Sequence, residues 1–222
     1  MPMLLSLCSS LNQKLLGLSV ASVLSLTLPV HADSHRLYIT GAAGANNPTK
    51  RVNDGDPGTF KEHTDPGVSA ELGVGIDLDG FRVEATYAID ASQLDGYTNI
   101  DGVDYDYASG GDARKQSAFL TGYWDVLRNK TWTPYFGAGF GYSNLDVRDF
   151  SDGGRSYPGF SRSLWGYQFK AGVAADLSNR STLFAEAVYR GTSEFTTNDG
   201  FHRWNNASWS SWGGQLGVRI GL

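Results

Sequence analysis

Cysteine is nearly absent from this chain: Cys8 is the only one in 222 residues, and it lies close to the start. Disulfide scaffolds, thiol catalysis and cysteine-built metal centres are therefore excluded for everything downstream. Long apolar runs are missing after the first thirty residues, where no stretch approaches the roughly 18–20 residues a membrane helix needs. Basic clusters are lacking too. The formal net charge is −5, from 18 Lys and Arg against 23 Asp and Glu. Scattered arginines in an acidic chain do not make the basic face that nucleic acid requires. What the chain has in quantity is glycine, 28 residues, and aromatics, 13% of the total. Both suit many short strands joined by turns.

The start reads as a secretory leader. Lys14 supplies a positive charge, Leu15 to Leu28 carries none, Pro29 breaks the run, and Val30-His31-Ala32 has the small-x-small form a signal peptidase accepts. The uncharged run is too short to span a bilayer comfortably. Cleavage after Ala32 is expected, so that 1–32 is a signal peptide and 33–222 a single domain. Lys14 is the only charge removed, which leaves 17 basic and 23 acidic residues, a net charge of −6.

The closing stretch Trp212–Leu222 shows the rule for the rest. Trp212, Leu216, Val218, Ile220 and Leu222 fall on one parity, and Gly213, Gln215, Gly217, Arg219 and Gly221 on the other. Strand side chains alternate faces, so one side is apolar and the other is glycine with a cation. Seven further segments obey the same rule: 36–45, 67–78, 81–90, 114–126, 132–144, 162–177 and 181–191. In 81–90, Phe81, Val83, Ala85, Tyr87 and Ile89 oppose Arg82, Glu84, Thr86 and Asp90. A slip of one residue would exchange the two sets, so the register is well specified. Asp79-Gly80 is the tight-turn dipeptide of a hairpin.

The connections alternate long and short. Polar stretches at about 46–66, 91–112, 145–161 and 192–207 are separated by brief turns, and Trp124, Trp132, Tyr142, Trp165, Tyr189 and Trp212 lie toward the strand ends. Bulky apolar residues on one face opposed by Glu, Arg, Lys, Gln and Gly invert the polarity of a soluble barrel. The expected fold is all-β, an eight-stranded antiparallel up-and-down transmembrane β-barrel, with both termini on the short-turn side. Aromatics near strand ends fit the two membrane interfaces.

Enclosed charge must be paired, and an eight-stranded barrel is only wide enough for side chains to fill it. Arg82, Glu84, Lys170, Glu186, Arg190 and Arg219 are therefore expected to form an ion network that plugs the lumen. A catalytic reading finds little: His63 and His202 lie in long connections, the latter near Ser208 and Ser210, without a convincing nucleophile motif, so no enzyme is expected. Asp101, Asp104 and Asp106 offer oxygen ligands but lack the spacing of a calcium loop. The glycine runs 41–44 and 137–141 precede no helix. No metal and no cofactor are expected. Binding residues favour loops on a rigid scaffold, which singles out Tyr97, Tyr105, Tyr107, Trp204 and Trp209 as possible contacts.

Leu37-Tyr38-Ile39-Thr40-Gly41-Ala42-Ala43-Gly44-Ala45, Thr133-Pro134-Tyr135-Phe136-Gly137-Ala138-Gly139-Phe140-Gly141-Tyr142 and the closing Gly-x-x-Gly-x-Arg strand resemble the outer-membrane β-barrel family of opacity-protein-like surface antigens. That family is similar to the transmembrane part of OmpA-type proteins. The resemblance implies a bacterial outer-membrane location, periplasmic termini, variable surface loops and a structural or adhesion role. A narrow solute channel stands second and a lipid-modifying enzyme third. Implied partners are outer-membrane lipid and lipopolysaccharide, the barrel assembly machinery and a host or surface ligand, around a monomeric barrel. The insertion signal would be Leu216, Val218, Ile220 and Leu222. Here the chain departs from that family's pattern, in which the signal usually ends in Phe or Trp.

Overall fold

The computed structural model describes residues 37–49, 51–55, 58–99, 101–109, 111–127, 131–151, 153–154, 156–198 and 203–222, with backbone alone for 51–60 and 197–206 within these ranges. The expected signal peptide lies outside the described residues. Eight long strands form the wall: β1 (Leu37–Pro48), β2 (Gly67–Asp77), β3 (Phe81–Thr98), β4 (Asp112–Asp125), β5 (Thr133–Val147), β6 (Phe160–Asp176), β7 (Ser181–Thr192) and β8 (Ser210–Gly221). Each pairs antiparallel with its sequence neighbours, and β8 pairs with β1, so the sheet closes on itself.

The closure has a measurable stagger. Passing from partner to partner, Leu37 leads to Ile76, Val83, Gly122, Ala138, Phe169, Tyr189 and Trp212, and then back to β1 at Asn47, ten residues beyond the start. A ten-residue shear over eight strands corresponds to a strand tilt of about 40°.

Side-chain alternation sorts the wall into two faces. Leu72, Phe140, Trp165 and Leu216 are all more than 60% exposed on the outside. Thr121, Gln168, Ser117 and Lys115 are fully buried inside. The core of this protein is its lumen. The short connections sit at one end together with the start of β1 and the end of β8, where Leu222 N–H donates to the Leu37 carbonyl. Asp79 (φ 62°) and Gly80 (φ 107°) make the β2–β3 turn, which the Asp77 carboxylate supports by accepting from Asp79 N–H at 2.9 Å. Ser178 supports the β6–β7 turn, its hydroxyl accepting from Arg180 and Ser181 N–H.

The opposite end differs from the four polar loops expected there. β3 runs on eight residues past Asp90 and carries a second tier of strands. Gly58–Thr64 pairs with β3, Arg51–Gly55 pairs with Gly58–Thr64, Arg203–Ala207 pairs with Arg51–Gly55, and Phe195–Asn198 pairs with Arg203–Ala207. Asp104–Asp106 lies on the other side of β3, and Phe150–Ser151 pairs with Ser156–Tyr157. The physical reason is that a strand standing clear of the wall exposes a row of unpaired amide groups, which neighbouring connections satisfy by pairing.

Candidate functional site

The lumen is built from alternate residues of the strands and is charged along its middle. Lys170 of β6 donates to Glu71 at 2.5 Å and to Glu186 at 3.0 Å. Arg190 of β7 donates to Glu71 at 2.6 Å, to Asp90 at 2.9 Å and to the Gln168 amide oxygen at 3.2 Å. Lys115 of β4 lies 3.3 Å from Asp90. Toward the short-turn end Arg82 donates to Glu84 at 2.9 Å and to Asp125 at 3.1 Å, while Arg219 stands 3.6 Å from Glu84. Tyr38 and Tyr135 hydroxyls donate to Glu84 and Glu186.

These pairs contain five cations (Arg82, Lys115, Lys170, Arg190, Arg219) and five carboxylates (Glu71, Glu84, Asp90, Asp125, Glu186), so the assembly is neutral. Its side chains are at most 11% exposed. Neutrality and mutual pairing are what make so much buried charge tolerable.

Two buried clusters of apolar and aromatic side chains share the lumen with this network, whose Arg82, Asp125 and Arg219 reach the short-turn end. Toward the short turns, Tyr123, Tyr135, Ala174 and Phe184 form a buried cluster, with the Arg82 guanidinium 4.5 Å from the Tyr123 ring and Arg219 4.7 Å from the Phe184 ring. The rings are seated on glycines of neighbouring strands: a Cβ at Gly137 would meet Tyr123 at 2.6 Å, and one at Gly172 would meet Tyr135 at 2.6 Å. Below this cluster a polar vestibule of about 550 Å³ opens between Asp77, Asp125, Asp176, Arg180 and Arg219. Toward the long connections, Leu94, Ala113, Leu145, Val147 and Trp209 make a second buried cluster, with Tyr107, Phe150, Phe160 and Phe195 packed on it.

The six network residues singled out by sequence all lie within this lumen. Glu71, Asp90, Lys115 and Asp125 complete it. Their signal was parity alone, since each falls on the inward alternation of its strand. Leu216, Val218, Ile220 and Leu222 are all exposed on the outer face. Of the candidate loop contacts, Tyr105 is 46% exposed and Tyr97 and Tyr107 are half-buried. Trp209 requires a correction: at 6% exposure it belongs to the apolar cluster, fixed by hydrogen bonds in both directions with Thr192. Trp204 pairs through its backbone with Gly55, and its side chain lies outside the description, as does His202. His63 shares a 2.8 Å hydrogen bond with the Thr98 hydroxyl, which donates to Asp104 at 2.6 Å. The hydroxyl occupies the middle of that chain, so the imidazole is not placed between nucleophile and carboxylate as a relay requires. Among the described residues no group of three or more His, Cys, Asp or Glu is arranged to hold a metal ion.

The outer membrane protein beta-barrel domain model matches residues 17–219. No curated protein matches the chain. Among solved structures, the chain is similar to Neisserial surface protein A at 16% identity, covering 84% of this chain and 97% of that one with a TM-score of 0.52. It is similar to the outer membrane protein OprG from Pseudomonas aeruginosa at 14% identity, with coverage of 85% and 97% and a TM-score of 0.57. It also resembles the outer membrane protease OmpT from Escherichia coli at 8% identity, with coverage of 87% and 99% and a TM-score of 0.50. At these identities the likeness is one of fold, and the fold is shared by proteins of different activity.

Proposed function

The chain belongs to the outer membrane protein β-barrel domain family, a bacterial outer-membrane family, and on that premise we propose that it is a non-enzymatic surface protein whose long connections carry a structural or ligand-binding role. The observation that carries this reading is the lumen. Ten mutually paired charges and two buried clusters of apolar and aromatic side chains fill it, which leaves the ends of the barrel as the places where chemistry with partners can occur. The long-connection end carries more chain than the short-turn end. Its four segments, 46–66, 91–112, 145–161 and 192–207, contain 14 acidic and six basic residues.

In this reading the short turns and both termini face the periplasm and the second tier of strands faces outward. The apolar outer face contacts outer-membrane lipid and lipopolysaccharide, and Leu216, Val218, Ile220 and Leu222 present the insertion signal to the barrel assembly machinery. The barrel acts as a monomer, and its ligand is a host or surface component. A solute channel is disfavoured by the same filled lumen.

The test is paired. Cells displaying the full chain are compared in a surface-adherence assay with cells displaying a variant whose 99–111 connection is replaced by a short glycine-serine turn. Purified protein is recorded in planar bilayers alongside. Lost adherence with an intact heat-modifiable band supports the proposal, whereas large, stable conductance from pure wild-type protein would replace it with the channel reading.

A further inference from the structure

An unbroken run of aromatic rings crosses the long-connection end. Tyr97 stacks on Tyr105 at 5.3 Å and 19° and contacts Tyr107 at 5.6 Å. Tyr107 packs against Phe150 at 4.9 Å, and Phe150 stacks on Tyr157 at 5.2 Å and 19°. Two different connections thus contribute to one surface. The run is fixed from below as well as along its length: Tyr97 and Tyr105 are cross-strand partners, as are Phe150 and Tyr157, and Tyr107 and Phe150 rest on the buried Leu94–Trp209 cluster. Its rings keep exposure, most of all Tyr105 at 46%. Stacked rings held rigidly and left partly open are a low-entropy contact surface.

Charge sets the sign of what fits there. The segment 91–112, which supplies three of the five rings, holds Asp95, Asp101, Asp104, Asp106 and Asp112 and neither Lys nor Arg, and Asp112 is held by Arg148 of the 145–161 segment at 3.1 Å. Asp101, Asp104 and Asp106 are exposed beside the rings. The excess of eight negative charges across the four long segments exceeds the net −5 of the entire chain, while the lumen contributes none. An anionic partner such as an acidic polysaccharide is repelled by this end. A planar cation matches it twice, since guanidinium lies flat on tyrosine faces and hydrogen-bonds carboxylates in a forked geometry that an ammonium lacks.

We infer that the Tyr97–Tyr105–Tyr107–Phe150–Tyr157 surface binds an arginine-rich polypeptide segment. This rests on the reading of the long-connection end as the ligand-binding end, and it names the partner's chemistry. Arginine side chains lie against the run, foremost on the exposed Tyr105 ring, and the neighbouring aspartates neutralise them.

The experiment uses the full mature chain in neutral phosphatidylcholine vesicles and labelled ten-residue peptides of arginine, lysine and glutamate, read by fluorescence anisotropy at two salt concentrations. The expected result is arginine binding at least tenfold tighter than lysine, no glutamate binding, and collapse of the arginine-to-lysine ratio toward one in Tyr105→Ala. Tyr105→Phe, which keeps the ring, retains the preference. Equal arginine and lysine binding that Tyr105→Ala leaves unchanged overturns the inference in favour of unspecific charge attraction, and so does absence of binding. If arginine peptides fail to bind while the 99–111 replacement still abolishes adherence, the partner chemistry is wrong and the ligand-binding reading stands. If adherence also survives the replacement, both fall.

Discussion

Arg190 and Glu71 meet at 2.6 Å in the middle of the lumen although 119 residues separate them in the chain. They sit on β7 and β2, strands that are not neighbours in the wall, so the pair spans the interior rather than stitching adjacent strands. Each end is shared: Arg190 also holds Asp90, and Glu71 also holds Lys170. Removing either partner leaves the buried network with one unbalanced charge.

Arg190→Met is therefore expected to cost about 3–5 kcal/mol, the usual loss when one side of a buried pair is removed. Glu71→Met is expected to cost a similar amount. The double variant leaves Lys170 with Glu186 and Lys115 with Asp90, both still matched. Its loss should fall well below the sum of the singles. Equilibrium urea unfolding in vesicles measures all three, and strict additivity would argue against a shared network.

The glycine seats give a second test. Gly137→Ala pushes a methyl group into the Tyr123 ring, and Gly172→Ala does the same to Tyr135 and to the Ala185 carbonyl. Each is expected to destabilise by roughly 1–3 kcal/mol through overpacking. Gly122 lies on the opposite face, where an added Cβ meets nothing within 4 Å, so Gly122→Ala should stay within about 0.5 kcal/mol of the parent. Thermal shifts of the heat-modifiable band would rank the three, and equal effects would contradict the seating.

Much of this architecture was legible in the sequence because parity is local. Phe81, Val83 and Ala85 against Arg82 and Glu84 specify a face without any tertiary knowledge, and Lys115 and Asp125, not singled out by sequence, follow the same alternation into the lumen. Which inward charge meets which is not local. The Arg190–Glu71 pair depends on the ten-residue shear, a property of the closed ring. The second tier was hidden for a related reason: turn formers such as Asp54-Gly55 and Asp56-Pro57-Gly58 mark where the chain reverses but not that the flanks pair. Trp209, a candidate contact by sequence, shares the inward parity of Ser211 and Gln215 one step before β8.

The β2–β3 turn isolates one residue's conformational demand. Gly80 sits at φ 107°, and it follows Asp79 at φ 62°. An L side chain at Gly80 is strained by about 1–3 kcal/mol, whereas Asp79→Asn tolerates its conformation. Gly80→Val should lower stability and slow refolding into vesicles, with Asp79→Asn close to the parent. Refolding kinetics followed by tryptophan fluorescence check this, and unchanged kinetics in Gly80→Val would indicate that the turn forms late.

Two aromatics of the long-connection end, Trp209 and Tyr105, separate packing from recognition. Trp209 is 6% exposed within a buried apolar cluster, and Tyr105 is 46% exposed at the end of the ring run. Truncating a buried tryptophan leaves a large cavity, so Trp209→Ala is expected to cost about 3–5 kcal/mol. Tyr105→Ala removes a half-exposed ring and should cost far less, while removing the surface face on which a ligand would lie. The two variants should therefore move opposite readouts, unfolding for Trp209 and adherence for Tyr105. Trp209→Phe, which refills most of the volume, should recover stability without altering adherence. Lost adherence in a stably folded Trp209→Phe would place that residue at the contact surface after all, and would mean that the long-connection end opens enough to present its interior.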